Sequence, residues 1–345
     1  MRIALFNTMT PYVRGGAEIL VDDLKTQLEK RGHSVTLFRI PFPNNFELSL
    51  MNTIYAAKSL NFDSYDAVIA FKFPAYCAVH RNKVLWMFHQ FRQVYELFGL
   101  EYGIADIPEG RAVRHFVEIA DSKGIGHANK VFTNAAEVTN RLKRFNNIGS
   151  TILNPPLEDY ETYFCGENGD YIYYPSRITN FKRQLLAVQA MKYVRTDVKL
   201  VIHGKCEQPG YYEQIQKEIK DNHLNNVTVE DRWVSNEEKK NVMADSLAVM
   251  YIPYKEDSCG FVTMEGFYSK KPVISCTDSG GTVEFIDEGK TGFFVEPDPK
   301  KLAEVMDKLF LDKKKARDMG LAAYDEIIRR DITWDKTIRR LLECE

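Results

Sequence analysis

Two successive runs of apolar strands alternating with amphipathic helices predict an α/β chain of two domains, each built on a parallel sheet. Three observations carry the prediction. Short apolar runs such as residues 3–6 and 67–71 have the length and composition of strands buried on both faces. Helical patterns fall between them, as where Leu20, Leu24 and Leu28 recur at four-residue spacing. Asn154-Pro155-Pro156 then breaks the alternation, and the polar, acidic stretch 158–170 reads as an inter-domain linker. The expected division is 1–157, the linker 158–170, a second domain 171–328, and a C-terminal helix over 329–345.

In the first half, residues 3–6 form the first strand, and a loop leads to Gly15-Gly16 and an amphipathic helix that Gly32 ends. Residues 33–40 form the next strand, which completes a β-α-β unit. The adjacent glycines are not the spaced Gly-x-Gly-x-x-Gly fingerprint, which disfavours a dinucleotide site. They are either a loop that lets backbone approach a ligand or a plain glycine turn. Strands follow at 67–71 and 83–88. His89, Gln90, Arg92 and Tyr95 emerge at the carboxyl end of the second of these, where ligands bind in open α/β sheets. Strands at 131–134 and 151–153 flank a helix carrying Arg141, Lys143 and Arg144, read as a solvated basic face.

In the second half, a strand at 171–176 ends at Arg177, with Lys182 and Arg183 just beyond and a helix around Leu185 and Val188. Arg177 and Lys182 are placed to clamp a diphosphate, whereas Arg183 reads as surface charge. A strand at 199–203 ends at Gly204. Ser235-x-x-Glu238 is a capping box. The apolar run 247–252 leads into Asp257-Ser258-Cys259-Gly260-Phe261 and a helix carrying Glu265. Free N–H groups at that helix start suit an anion, and its carboxylate suits sugar hydroxyls. A strand at 271–276 ends at Gly280-Gly281, which again puts backbone N–H groups at a carboxyl end. Helices at 299–310 and 313–328 and a last amphipathic segment from Ile332 complete the chain.

Composition narrows the function. The formal charge of -2 gives no basic field for nucleic acid. Residues 1–155 carry +4 and the remainder -6, so the first half suits an anionic acceptor or a bilayer surface. The six cysteines include no Cys-x-x-Cys pair and none at metal-ligand spacing from a histidine, which points to a reducing, cytoplasmic compartment without a metal site. The N-terminal apolar run is too short for a signal peptide, and no run reaches the ~18–20 residues that span a bilayer.

The order of Gly15-Gly16-Ala-Glu18, His89, Pro155-Pro156, Arg177 with Lys182, Asp257 to Glu265, Pro272-Val-Ile, Gly280-Gly281-x-x-Glu284 and Thr291-Gly292-Phe resembles the retaining GT-B glycosyltransferases, specifically glycosyltransferase family 4. The resemblance covers nearly the whole chain. It implies two Rossmann-like domains facing across a cleft, with the C-terminal helix returning to the first. The second domain would bind a nucleotide-diphosphate sugar, and the first a glycan or lipid-linked saccharide at the inner face of a membrane. The expected activity is metal-independent, cofactor-free hexosyl transfer with retention, in surface polysaccharide or glycolipid synthesis. By the same match Arg177 and Lys182 neutralise the leaving diphosphate, and Glu265 holds the ribose. Asp257 and the backbone of 258–261 face the donor sugar and its phosphate. Gly16 lies against the diphosphate and His89 reaches the sugar. The family usually has Glu eight residues before the second acid. Here that position is Asp257, and Glu256 stands one residue too early, which centres the question of donor preference on this turn.

Overall fold

The computed structural model describes residues 1–12, 15–42, 46–100, 103–208, 210–256 and 260–343. The chain forms two compact units, Met1–Pro156 with Thr333–Glu345, and Leu157–Ile332.

The first unit runs β1 (Arg2–Met9), α1 (Gly16–Lys30), β2 (Ser34–Pro41), α2 (Phe46–Ser59), β3 (Ala67–Ala70), β4 (Lys83–Met87), α3 (Pro108–Gly126), β5 (Lys130–Thr133), α4 (Ala136–Asn146) and β6 (Thr151–Ile152). Its six strands pair in parallel in the order β2-β1-β3-β4-β5-β6. Burial on both faces explains why β3 and β4 read as unbroken apolar runs. In α1 the leucines at 20, 24 and 28 are buried, as their spacing predicts, and Gly32 adopts a left-handed φ of +82° just past its end.

The second unit runs β7 (Tyr171–Pro175), α5 (Gln184–Ala190), β8 (Lys199–His203), α6 (Tyr211–Asp221), β9 (Val227–Glu230), α7 (Asn236–Ala244), β10 (Ala248–Met250), α8 (Phe261–Tyr268), β11 (Val273–Cys276), β12 (Gly292–Val295), α9 (Pro299–Leu311) and α10 (Lys313–Arg329). Its parallel order is β12-β11-β10-β7-β8-β9. Ser235 Oγ accepts the Glu238 N–H at 3.1 Å and so opens α7. Residues 158–170 do not run free: Gly166 N–H and Gly169 N–H donate to Ala244 and Asp245 carbonyls at 2.9 and 2.8 Å, which ties the stretch to this unit. The last helix, α11 (Trp334–Leu342), belongs to the first unit, where Arg31 pairs with Asp335 and Arg340 lies over the Phe132 ring.

Some elements escape the pattern reading. In α3 the buried positions include Gly110, Asp121 and Gly124, which dilute the apolar stripe. In β9 no residue is fully buried, so it shows no apolar run. The basic run on α4 is also corrected. Arg141 is buried and pairs with Glu96 at 3.1 Å and Glu137 at 2.8 Å, so only part of that run is a solvated face.

Candidate active site

In open α/β sheets the ligand crevice lies at the carboxyl ends of strands where the strand order reverses. In the second unit that point lies between β7 and β10. The chain leaves β7 at Ser176 and Arg177, and the buried Gln184 carboxamide donates to Ser176 Oγ and the Arg177 carbonyl, both at 2.8 Å. It leaves β10 at Tyr251. Lys182 reaches across: its ammonium donates to Tyr251 Oη at 2.6 Å and pairs with the Glu256 carboxylate, and Tyr251 Oη donates to Glu256 at 3.0 Å. Burial, and next the Glu256 charge, hold the Tyr251 phenol protonated far above its usual range. Arg177 pairs with Glu207 at 2.7 Å, and its charge also acts on Tyr251.

Arg183 is not surface charge. Its φ of +57° turns the chain directly after Lys182. Its guanidinium then forks onto Asp278 at 2.8 and 2.9 Å and donates to the Ile252 and Pro253 carbonyls at 2.7 and 2.8 Å. It thereby joins the loops after β10 and β11 to the turn that carries Lys182. The same loops are zipped through backbone: Lys255 N–H donates to Asp278 O, and Gly281 N–H to Glu256 O. Gly280 has φ +67°, and a Cβ there would stand 2.3 Å from Glu256 O. The Gly281 N–H is therefore spent on the loop and is not free for an anion. Gly204 has a similar packing reason, since a Cβ would meet the Ser176 carbonyl oxygen at 1.7 Å.

Gly260 and Phe261 open α8, with Gly260 at φ +72° against the Tyr251 ring. Asp257, Ser258 and Cys259 lie outside the described residues. Glu265 on α8 is buried. One carboxylate oxygen pairs with Lys239 on α7 at 2.5 Å; the other makes no hydrogen bond of good geometry among the described residues, although the Tyr163 hydroxyl faces the same carboxylate. A buried oxygen left unbonded is costly unless a hydroxyl satisfies it. Sequence reading missed Lys239 and Tyr251, because nothing in the local pattern marks a helix lysine or a strand-end tyrosine as convergent.

In the first unit the order reverses between β1 and β3, and a cavity of about 220 Å³ opens at the strand ends, lined among others by Phe42, Lys72, Phe73, His89, Gln90 and Phe91. His89 is half-buried, with its Nδ1 2.8 Å from the Gln90 carbonyl oxygen. Gly15 caps α1 and Gly16 begins it. The Gly15 N–H donates to Glu18 at 3.0 Å, and Glu18 pairs with Lys72 at 2.7 Å. Burial works to raise the Glu18 carboxyl, but Lys72 and the Gly15 N–H outweigh it and hold it low.

Behind this cavity Asp121 is fully buried and accepts hydrogen bonds from Tyr76 and Tyr95 at 2.9 and 2.8 Å. Burial lifts its carboxyl to about 7, against the partial opposition of the two tyrosines. The native state thus holds this proton more tightly than an unfolded chain with a carboxyl near ~3.9, so the group's contribution is fully present below that value and lost as pH rises through about 7. Asp121→Asn cannot titrate. Melting temperatures at pH 5 and pH 8 should shift in the variant's favour, relative to wild type, at the higher pH. Parallel melting curves would contradict this.

Among the described residues no cluster of His, Cys, Asp or Glu could hold a metal, and no helix is long and apolar enough to cross a membrane.

Residues 163–326 match the family model of glycosyl transferases group 1. The human alpha-1,3/1,6-mannosyltransferase ALG2 is 32% identical over 116 residues, which is 34% of this chain and 27% of that protein. The chain thus spans about a quarter of the length of the curated relatives it matches. Two solved structures resemble it along almost their whole length. Sucrose-phosphate synthase from Thermosynechococcus elongatus has a TM-score of 0.76 at 16% identity, over 99% of this chain and 97% of that one. Anabaena HepE in complex with UDP has a TM-score of 0.70 at 16% identity, over 99% and 98%. These likenesses carry the fold, two α/β units with six parallel strands each. Residues 163–326, most of the second unit, are thus similar to the glycosyl transferases group 1 family, and the chain has the GT-B fold of these structures.

Proposed function

We propose that this protein transfers a hexosyl group, with retention, from a nucleotide-diphosphate sugar to a glycan or lipid-linked saccharide in surface polysaccharide or glycolipid synthesis, without a metal. The observation that carries the reading is the Lys182–Tyr251–Glu256 cluster at the switch point of the second sheet. Lys182 is a cation whose present partner, Glu256, is itself an anion, so a diphosphate can compete for it on equal terms of charge. The UDP held by HepE and the mannosyl transfer named for ALG2 agree with a nucleotide-diphosphate sugar as donor.

In the proposed step the bond from the anomeric carbon to phosphate oxygen breaks, and the diphosphate departs with the electron pair. Lys182 and Arg177 stabilise the charge that grows on it. The acceptor hydroxyl attacks on the same face and passes its proton to the departing phosphate oxygen. The unbonded oxygen of Glu265 accepts from a ribose hydroxyl.

The test is a melting-temperature panel with UDP-, GDP- and ADP-sugars, followed by NMR of the anomeric configuration of the product. One donor should raise the melting temperature, since it binds only the folded state, and its transfer product should keep the configuration. A flat response to every donor would refute the reading.

A further inference from the structure

The buried network behind the first-unit cavity has a direction. Asp121 accepts from Tyr95 Oη at 2.8 Å, which uses the only hydrogen of that hydroxyl. Tyr95 Oη must then accept from its other neighbour, and Asn146 Nδ2 donates to it at 3.1 Å. That fixes the Asn146 carboxamide, whose oxygen accepts from Gln90 Nε2. The Gln90 carboxamide is fixed in turn. One of its two N–H hydrogens is committed to Asn146, which leaves its carbonyl oxygen and its second N–H to offer, and Gln90 lines the cavity.

Such a chain is expensive to build. Asp121 has no exposure, and its hydrogen bonds go to two tyrosines rather than to any cation among the described residues. The neighbouring buried ammonium of Lys83 is spent on the Tyr76, Ala78 and Gly124 carbonyls, at 3.0, 2.9 and 2.6 Å. Above about pH 7 Asp121 is ionised and can only accept, which sets the polarity of every link outward to Gln90.

The cavity itself is specific in size and charge. At about 220 Å³ it is smaller than the ~300–1,000 Å³ typical of drug-sized ligands, which suits a single ring. Lys72, the one ammonium among the described lining residues, is neutralised by Glu18. Phe73 and Phe91 stack at 5.0 Å, and Phe42 meets both edge-on at 5.6 and 5.7 Å, giving an aromatic wall for the C–H face of a ring.

We infer that Gln90 is the residue by which the first unit selects its ligand, offering the carbonyl oxygen and second N–H of its carboxamide to the hydroxyls of a single neutral sugar ring. Asp121, Tyr95 and Asn146 are positioning residues that hold that carboxamide in one orientation. The identification of this ring as the end of the acceptor rests on the proposed sugar transfer; the binding itself does not.

The experiment is saturation-transfer NMR without donor, using methyl glycosides of glucose, galactose and mannose and the methyl glycoside of glucuronic acid. Wild type should bind at least one neutral glycoside in preference to the glucuronide. Gln90→Met, which keeps the side chain's length, should weaken that glycoside roughly tenfold. Tyr95→Phe, which keeps the ring packed on Phe145, should alter the preference among the three neutral glycosides as well as the affinity. A merely structural role would lower all three alike. Wild-type binding by Gln90→Met, or no neutral glycoside bound by wild type, overturns the inference. Intact glycoside binding beside a flat donor panel would sink only the transferase reading.

Discussion

Lys182→Ala should lower kcat for sugar transfer about 100- to 1,000-fold, the usual loss when one preorganised group that stabilises a leaving charge is removed. The ammonium is held at 2.6 Å by Tyr251, so it needs no reorganisation as the diphosphate departs. The effect belongs to kcat more than to donor KM, because the negative charge on the leaving group is greater in the transition state than in the bound donor. The turn itself should survive. It is held through backbone by the Tyr174 hydroxyl on the Lys182 carbonyl and by the Lys182 N–H on Thr179. Steady-state kinetics with the donor identified by the melting panel check this. Turnover within about threefold of wild type would remove Lys182 from the chemistry.

Arg183→Ala should markedly destabilise the second unit. It strands Asp278 and leaves the Ile252 and Pro253 carbonyls without their donor, so that the Tyr254 N–H on Phe181 O and the Lys182–Glu256 pair remain to tie the loop after β10 to the Lys182 turn. Breaking a largely buried pair by deleting one partner costs roughly 3–5 kcal/mol, and the 15% exposure of the Arg183 side chain argues for the lower end. For a unit of this size ~3 kcal/mol is about 6–12 °C in melting temperature. Arg183→Lys keeps the charge but not the planar fork, and should fall between. Denaturant unfolding that showed a loss under about 1 kcal/mol would mean that backbone zipping alone holds the loops.

Much of the architecture was legible because burial leaves periodic marks. The leucines of α1, the apolar runs of β3 and β4, and the Ser235 cap are local signals with local causes. The helix carrying Glu265 was equally readable, from the spacing of Phe261, Met264 and Tyr268. What escaped was long-range. Arg183 and Lys182 are adjacent cations with the same look in sequence. One faces Tyr251 and Glu256, while the other staples Asp278, 95 residues away. Arg141 likewise looked solvated, until Glu96 closed on it from another element.

The sequence by itself determined the α/β class, the two-fold division, and which strand ends carry polar groups, since each follows from hydrophobic period and turn chemistry within a few residues. The tertiary structure alone decided what those polar groups do. It placed Glu256 against Lys182, spent the Gly281 N–H on a loop, and left one oxygen of Glu265 unbonded. It also ran a directed chain of hydrogen bonds from Asp121 to Gln90. The reason is geometric. A charge or a carboxamide acquires its role from the group it meets, and in a parallel sheet those groups arrive from strands and crossovers far apart in the chain.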